Sequence, residues 1–381
     1  MSSTELYVED DEQHSLPEIE AEQPDPGPKR PFDPALIRVE TKPMTVDLLV
    51  SRIKNGEIDL APDFQRESGL WDDGAQSRLI ESLMIRLPIP AFYLDATDDE
   101  RWCVVDGLQR LSVLDRFINR EDLALSSLEF MTELNGCRWS GSGNTGLPRS
   151  MQRRILETQV TVYLIQPGTP PEVKFNLFKR INTGGLPLSP QEIRHALNQG
   201  EAASMLKRLV EANDFRKVAG RWLRDRRMTD RECALRFLAF AITDWRAYSS
   251  REYDAFLHEQ MKRLNAMSSE ERAELERRFL RAMSAAWRVF GEDAFRKRYE
   301  LNAPRKPINK ALFEAWSTGL DALDDTMLDR LVERRDALRE AFTREMNERV
   351  FDLSVSQGTG DPTKVHTRFG RIESIIKETL A

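Results

Sequence analysis

The sequence predicts an α+β first half followed by an all-helical second half, and three observations carry that expectation. Up to about residue 200, short alternating or β-branched apolar segments (58–60, 91–95, 101–105, 160–165) are interleaved with helical patterns. Beyond it amphipathic helices take over, with starts such as Thr229-Asp230-Arg231-Glu232 and Ser268-Ser269-Glu270-Glu271. Ahead of both, an acidic and then proline-rich opening lacks the apolar area to fold alone. The expected organisation is a disordered arm over 1–33, an α+β domain over 34–200 and a helical domain over 201–381.

Thr45 is a good N-cap for a short helix over 46–54, closed by Asn55-Gly56. A second helix follows Trp71-Asp72-Asp73, with Leu79, Ile80, Leu83, Met84 and Leu87 on one face, and Pro88 and Pro90 end it. The segments at 91–95 and 101–105, joined by a polar turn, read as a hairpin. The second of them runs into Asp106-Gly107-Leu108-Gln109-Arg110 and a helical pattern through Leu111, Leu114, Phe117 and Ile118. Asn135-Gly136 marks a turn and 140–145 is a Gly/Ser-rich loop. A helix over 152–158, a strand over 160–165 and a helix over 170–180 follow, then Asn182-Thr183-Gly184-Gly185. Ser189-Pro190-Gln191-Glu192 is a capping box with proline at its first helical position. No fixed-period repeat is visible, which argues against a solenoid.

Residues 1–25 carry nine acidic side chains and no Lys or Arg, so a chain of net charge −7 has a remainder of net +2. The acidic balance therefore belongs to the arm, and a local basic face has room elsewhere. No apolar run approaches the roughly 18 residues that span a bilayer, and no secretory signal pattern is present, so a cytoplasmic protein is expected. Three scattered cysteines, Cys103, Cys137 and Cys233, form no Cys-x-x-Cys pair and read as reduced thiols. The four histidines are isolated, which argues against a zinc site or a Ser-His-Asp triad.

Groups suited to phosphate are better represented. At 106–110 a strand turns through a glycine into a helix whose first N–H groups lack intrahelical partners, an arrangement that attracts anions. Arg110 adds a forked cationic donor, and Asp106 with Gln109 can orient a metal or a water. Gln65-Arg66 and the segment from Arg180 to Gly185 repeat the pairing of an amide or glycine with an arginine. Each taken singly also fits an ordinary turn or helix cap. A second basic feature is the run Arg216, Lys217, Arg221, Arg224, Arg226, Arg227, Arg231, Arg236, interleaved with Phe215 and Trp222. It fits either a nucleic-acid surface or a solvated helix face.

Pro62-Asp63-Phe64-Gln65-Arg66, Trp71, Leu79-Ile80-Glu81-Ser82, Pro88-Ile89-Pro90, Asp106 to Arg110 and Phe178-Lys179-Arg180-Ile181-Asn182-Thr183 together resemble the N-terminal domain of GmrSD-type, modification-dependent restriction enzymes over residues 40–200. The resemblance implies a ParB/sulfiredoxin-like fold whose Asp-Gly-Gln-Gln-Arg motif binds a nucleoside triphosphate, with Mg²⁺ as a candidate companion, often in anti-phage defence. It carries over Gln65, Arg66, Gly107, Arg110 and Asn182 as nucleotide-binding residues, and Asp106 and Gln109 as the groups that would act on water or metal. Two departures stand out. Leu108 replaces the first glutamine, so it either excludes water at the phosphates and slows hydrolysis or packs into the core. The His-Asn-His nuclease module of many relatives has no counterpart, since His258 and His366 lie in no such motif. Three functions follow as expectations: a nucleotide-binding switch or slow NTPase; a DNA-binding or nicking protein using Arg221, Arg224, Arg226 and Arg227; and a ligand-free scaffold. The first two leave the nuclease step to a separate nuclease or defence partner.

Overall fold

The computed structural model describes residues 19–20, 37–60, 71–141, 143–181, 189–198, 200–220, 227–250 and 252–381. Five strands form one mixed sheet: β1 (Val39–Thr45), β2 (Ile58–Asp59), β3 (Phe92–Asp95), β4 (Trp102–Asp106) and β5 (Gln159–Ile165), in the order β1-β5-β3-β4-β2. The expected hairpin is the antiparallel β3/β4 pair, while β5 runs parallel to β3 and β2 parallel to β4. β1 has no counterpart in the sequence reading. It is an edge strand that pairs antiparallel with β5, contains Pro43, and exposes all but its last two residues. Its stability comes from the ladder with β5 and not from an apolar face, so the periodicity that reveals a core strand is missing.

Helices α1 (Val46–Lys54), α2 (Asp73–Met84), α3 (Leu108–Leu114) and α4 (Arg149–Glu157) cover one face of the sheet. Their caps follow the sequence: Thr45 Oγ1 accepts from the Leu48 N–H at 3.2 Å, and Asp72 from the Ala75 N–H at 2.7 Å. α3 continues into a π-helical turn, Asp115–Asn119, where Phe117 stays buried and the Asn119 amide reaches back to the Val50 carbonyl of α1. Val46, Leu49, Ile80, Leu83, Phe92, Leu94, Leu111, Leu114 and Val162 form this core layer. Helices α5 (Pro171–Ile181) and α6 (Pro190–Leu197) lie on the other face, with Phe175, Phe178 and Ile193 against Val105 and Ile165. The capping box at Ser189 and Glu192 is formed as the sequence implies.

From Glu201 on, every named element is helical: α7 (Glu201–Glu211), α8 (Asn213–Ala219), α9 (Thr229–Ile242), α10 (Tyr253–Ala266), α11 (Ser269–Phe290), α12 (Lys310–Asp321), α13 (Asp325–Glu333), α14 (Arg335–Met346), α15 (Arg349–Ser356) and α16 (Pro362–Leu380), joined in places by 3₁₀ turns. They share a core around Phe237, Phe279, Phe313 and Trp316. The Ser268 capping box forms. The helix at Thr229 starts where expected, though its cap is Met228, left-handed at φ +55°, with no side-chain bond. Glu232 is drawn inward instead, where burial pushes its carboxyl up but Lys310, Arg236 and Arg194 together outweigh that and hold it well below the ordinary range.

The acidic opening is tied down at one point. The Glu20 N–H donates to the Ile308 carbonyl at 2.8 Å, and the Glu20 carboxylate accepts from Lys297 Nζ at 2.7 Å and Asn309 Nδ2 at 3.0 Å. No helix among the described residues is long and apolar enough to cross a membrane.

Candidate functional site

β4 ends at Asp106, the chain turns at Gly107, and α3 begins at Leu108. Gly107 sits at φ +92°, and a Cβ there would lie 2.5 Å from the Phe92 ring, so both the turn and the packing of β3 demand glycine. Gly107 provides no side-chain cap for α3, and it and Leu108 are themselves buried.

Arg110 is committed inward. One amino group donates to Asp106 Oδ2 at 2.8 Å, the other donates to the carbonyls of Pro90 and Ala91, and the guanidinium lies 4.9 Å from the Phe92 ring centre. Burial lowers the pKa of the guanidinium and the Asp106 charge opposes that shift, so the two form a partly desolvated pair of offsetting charges. The guanidinium therefore clamps the start of β3 to the helix.

Gln109 accepts the Trp71 backbone N–H at 3.3 Å through Oε1. Trp71 is held again by Gln76, whose amide nitrogen donates to the Trp71 carbonyl at 2.6 Å. The chain thus re-enters the described structure beside the junction, directly after the segment bearing Gln65 and Arg66. Those two residues and Asn182 lie outside the described residues, as do Arg221, Arg224 and Arg226. Residues 182–188 are bracketed by α5 and α6, both of which pack on β4.

Leu108 is buried in the core layer of the sheet, 7% exposed. Of its two readings, the packing one holds. Glu81, from the Leu79 to Ser82 motif, accepts from the backbone N–H groups of Glu129, Phe130 and Met131 at 3.0, 2.8 and 2.8 Å. Burial pushes its carboxyl up, and the three N–H donors outweigh it, leaving it below the ordinary range. That motif residue is a brace for the 129–131 loop.

A row of side chains missed by sequence reasoning crosses the sheet beside Asp106. Tyr93 is the cross-strand partner of Asp106 and the parallel-register partner of Tyr163, and the two rings stack at 4.7 Å. Burial, then the Tyr163 and Asp106 charges, raise the Tyr93 phenol. Alternation in β3 and β5 marks both tyrosines as strand residues but cannot say that their common neighbour is a carboxylate at a turn. Among the described residues no group of three or more His, Cys, Asp or Glu is placed to hold a metal ion.

The basic run divides. Arg236 is buried and paired with Glu232 at 2.7 Å, contrary to a surface role. Arg227 donates to Glu192 at 3.1 Å, across to the capping box of α6. Arg216 and Lys217 are exposed on α8.

A mixed sheet covered by helices on both faces, with a glycine-turned strand-to-helix junction carrying an Asp-Arg clamp, defines an α+β domain with a half-buried polar junction at a strand end. Residues 46–198 match the family described as GmrSD restriction endonuclease, N-terminal domain. No curated protein and no solved structure matches the chain.

Proposed function

We propose that the 106–110 junction is the nucleoside-triphosphate site of a restriction-related, anti-phage defence protein, and that it works as a binding switch. The observation that carries this reading is the bond from the Trp71 N–H to Gln109, since Trp71 follows Arg66 by only five residues in the sequence. The start of α3, which no side chain caps, suits a phosphate oxygen, and the stacked Tyr93 and Tyr163 offer a flat apolar neighbour. With Arg110 neutralised by Asp106, the countercharge for a triphosphate falls to Arg66, with Asn182 as a further polar contact. A phosphate that takes over the Arg110 donor releases Asp106, whose carboxylate then suits Mg²⁺; bound there, the ion would supply charge neutralisation. Buried Leu108 can neither hold nor orient a water, which favours binding over turnover. Cleavage of DNA is left to a separate nuclease partner.

Titration of labelled ATP, GTP and CTP, with and without Mg²⁺, tests the reading on the wild type, Arg66→Ala and Asp106→Asn. One nucleotide is expected to bind, and Arg66→Ala to weaken it roughly tenfold to a hundredfold through loss of a charge-assisted contact. Absence of binding for all three, or an Arg66→Ala protein that binds as the wild type does, refutes the site.

A further inference from the structure

A second candidate site lies far along the chain from the junction, between helices of the C-terminal half. A cleft of about 600 Å³ is lined by Arg216, Lys217 and Gly220 at the end of α8, Trp287 near the end of α11, Arg296, and Arg305. That volume falls within the roughly 300–1,000 Å³ of small-ligand sites. Its lining carries four cations against one carboxylate, Glu292. Arg216 and Lys217 have no carboxylate partner among the described residues, and Arg305 meets Glu292 at 3.3 Å with both side chains exposed. The exposed charges of Arg216 and Lys217 are thus open to a ligand, and Arg305 adds a third cation whose carboxylate contact is the solvent-exposed one to Glu292.

The cleft is also built, not merely lined by mobile side chains. Arg296 is 3% exposed and forms its floor, fixed by bonds to the Glu292 carbonyl at 2.9 Å and the Lys306 carbonyl at 2.7 Å. Just before it, buried Phe295 is held at φ +62°, a left-handed conformation a bulky residue rarely adopts, and its carbonyl accepts from the Asn309 N–H at 2.9 Å. At the rim, Trp287 leaves more than a third of its surface to solvent, on a helix whose other aromatic residues, Phe279 and Phe290, are buried.

We propose that this cleft binds one unpaired nucleotide of a single-stranded nucleic acid, the base stacking on Trp287 and the adjoining phosphates held by Arg216, Lys217 and Arg305. An indole beside a row of guanidinium and ammonium groups is the pairing that single strands select: phosphate follows the charge, and any unstacked base has a π-face for the ring. Bases in a duplex are stacked on each other and cannot enter a concave site, so the geometry selects the single strand. The proposal does not depend on the nucleotide reading at Asp106.

The test is fluorescence anisotropy of a labelled 12-nucleotide oligothymidylate with the full chain at low salt. Tighter binding of the single strand than of a duplex of equal length is expected. Trp287→Ala should lower affinity roughly 5- to 100-fold at unchanged salt dependence, with Trp287→Phe keeping most of it. The exposed pair Arg216→Ala and Lys217→Ala, which cannot disturb the core, should flatten the log–log salt slope by about 1.4. Equal or tighter duplex binding, indifference to Trp287→Ala, an unchanged salt slope, or displacement of the oligonucleotide by dTMP at concentrations matching its own affinity each overturns the proposal, the last by making the cleft a free-nucleotide site.

Discussion

At the scale of single residues, Leu108 and Arg110 show how far one motif is bound up in packing and internal bonds. Leucine at 108 buries its side chain among the helices under the sheet, where an amide would lack hydrogen-bond partners. Leu108→Gln is therefore expected to lose about 2–3 kcal/mol of stability in urea unfolding, and to gain no hydrolysis in single-turnover assays. A variant as stable as the wild type and faster with ATP would put position 108 at the phosphates after all. The strand, glycine turn and helix from Trp102 to Leu114 were legible from the residue types, because an alternating apolar pattern gives way at Gly107 to a helical one. What the residues could not disclose was that Arg110 spends its donors on Asp106, Pro90 and Ala91, since those partners are set by the approach of β3.

Among elements, those with an apolar period or a cap were readable and those held by pairing were not. α1, α2, α6 and α11 start where Thr45, Asp72, Ser189 and Ser268 say they should. β1 was invisible because a polar edge strand is stabilised by β5, and at α9, which begins at Thr229 as expected, Glu232 turns inward to Lys310, Arg236 and Arg194 and away from the helix start. The contact of α6 with α10 has a pH signature. His258 of α10 faces Asn198, whose amide nitrogen also donates to the Arg194 carbonyl and so donates to His258 Nδ1 at 3.0 Å. That fixes the neutral ring, and burial, then Lys262 on its own helix, Arg194 of α6 and Lys174 of α5, lower its pKa to about 4. The unfolded chain takes up the proton first, near pH 6.5. The contribution is therefore complete above that value and lost as pH falls through 4, on the order of 3 kcal/mol in all. Urea midpoints measured from pH 7 to 4 should show this decline in the wild type and a shallower one in His258→Gln; parallel curves would remove His258 from the account.

For the whole molecule, the helices after Glu201 close around charge as well as around phenylalanine. Arg194 meets Glu232 at 3.4 Å and Asp254 at 2.7 Å, Arg236 meets Glu232 at 2.7 Å and Glu314 at 3.6 Å, Lys310 meets Glu232 at 3.2 Å, and Arg368 is paired with Glu314. The chain joins α6, α9, α10, α12 and α16, with the side chains of Arg194, Glu314 and Arg368 fully buried. Composition lists these residues as ordinary surface charges; only the three-dimensional packing turns them inward. Neutralising one member leaves its partners uncompensated in a low dielectric, so Glu314→Gln should cost about 3–5 kcal/mol and lower the melting temperature by several degrees. A melting point within a degree of the wild type would mean that water or rearranged partners serve the cluster. Glu20 adds a last consequence, one of order in time. It is bonded to Lys297 and Asn309, residues 277 and 289 places further along the chain. During synthesis at about 5–20 residues per second, Ile19 and Glu20 must wait some tens of seconds for their partners to be made. The sheet and its helices are complete in the chain well before that, so this bond is a late one, formed only after most of the protein has left the ribosome.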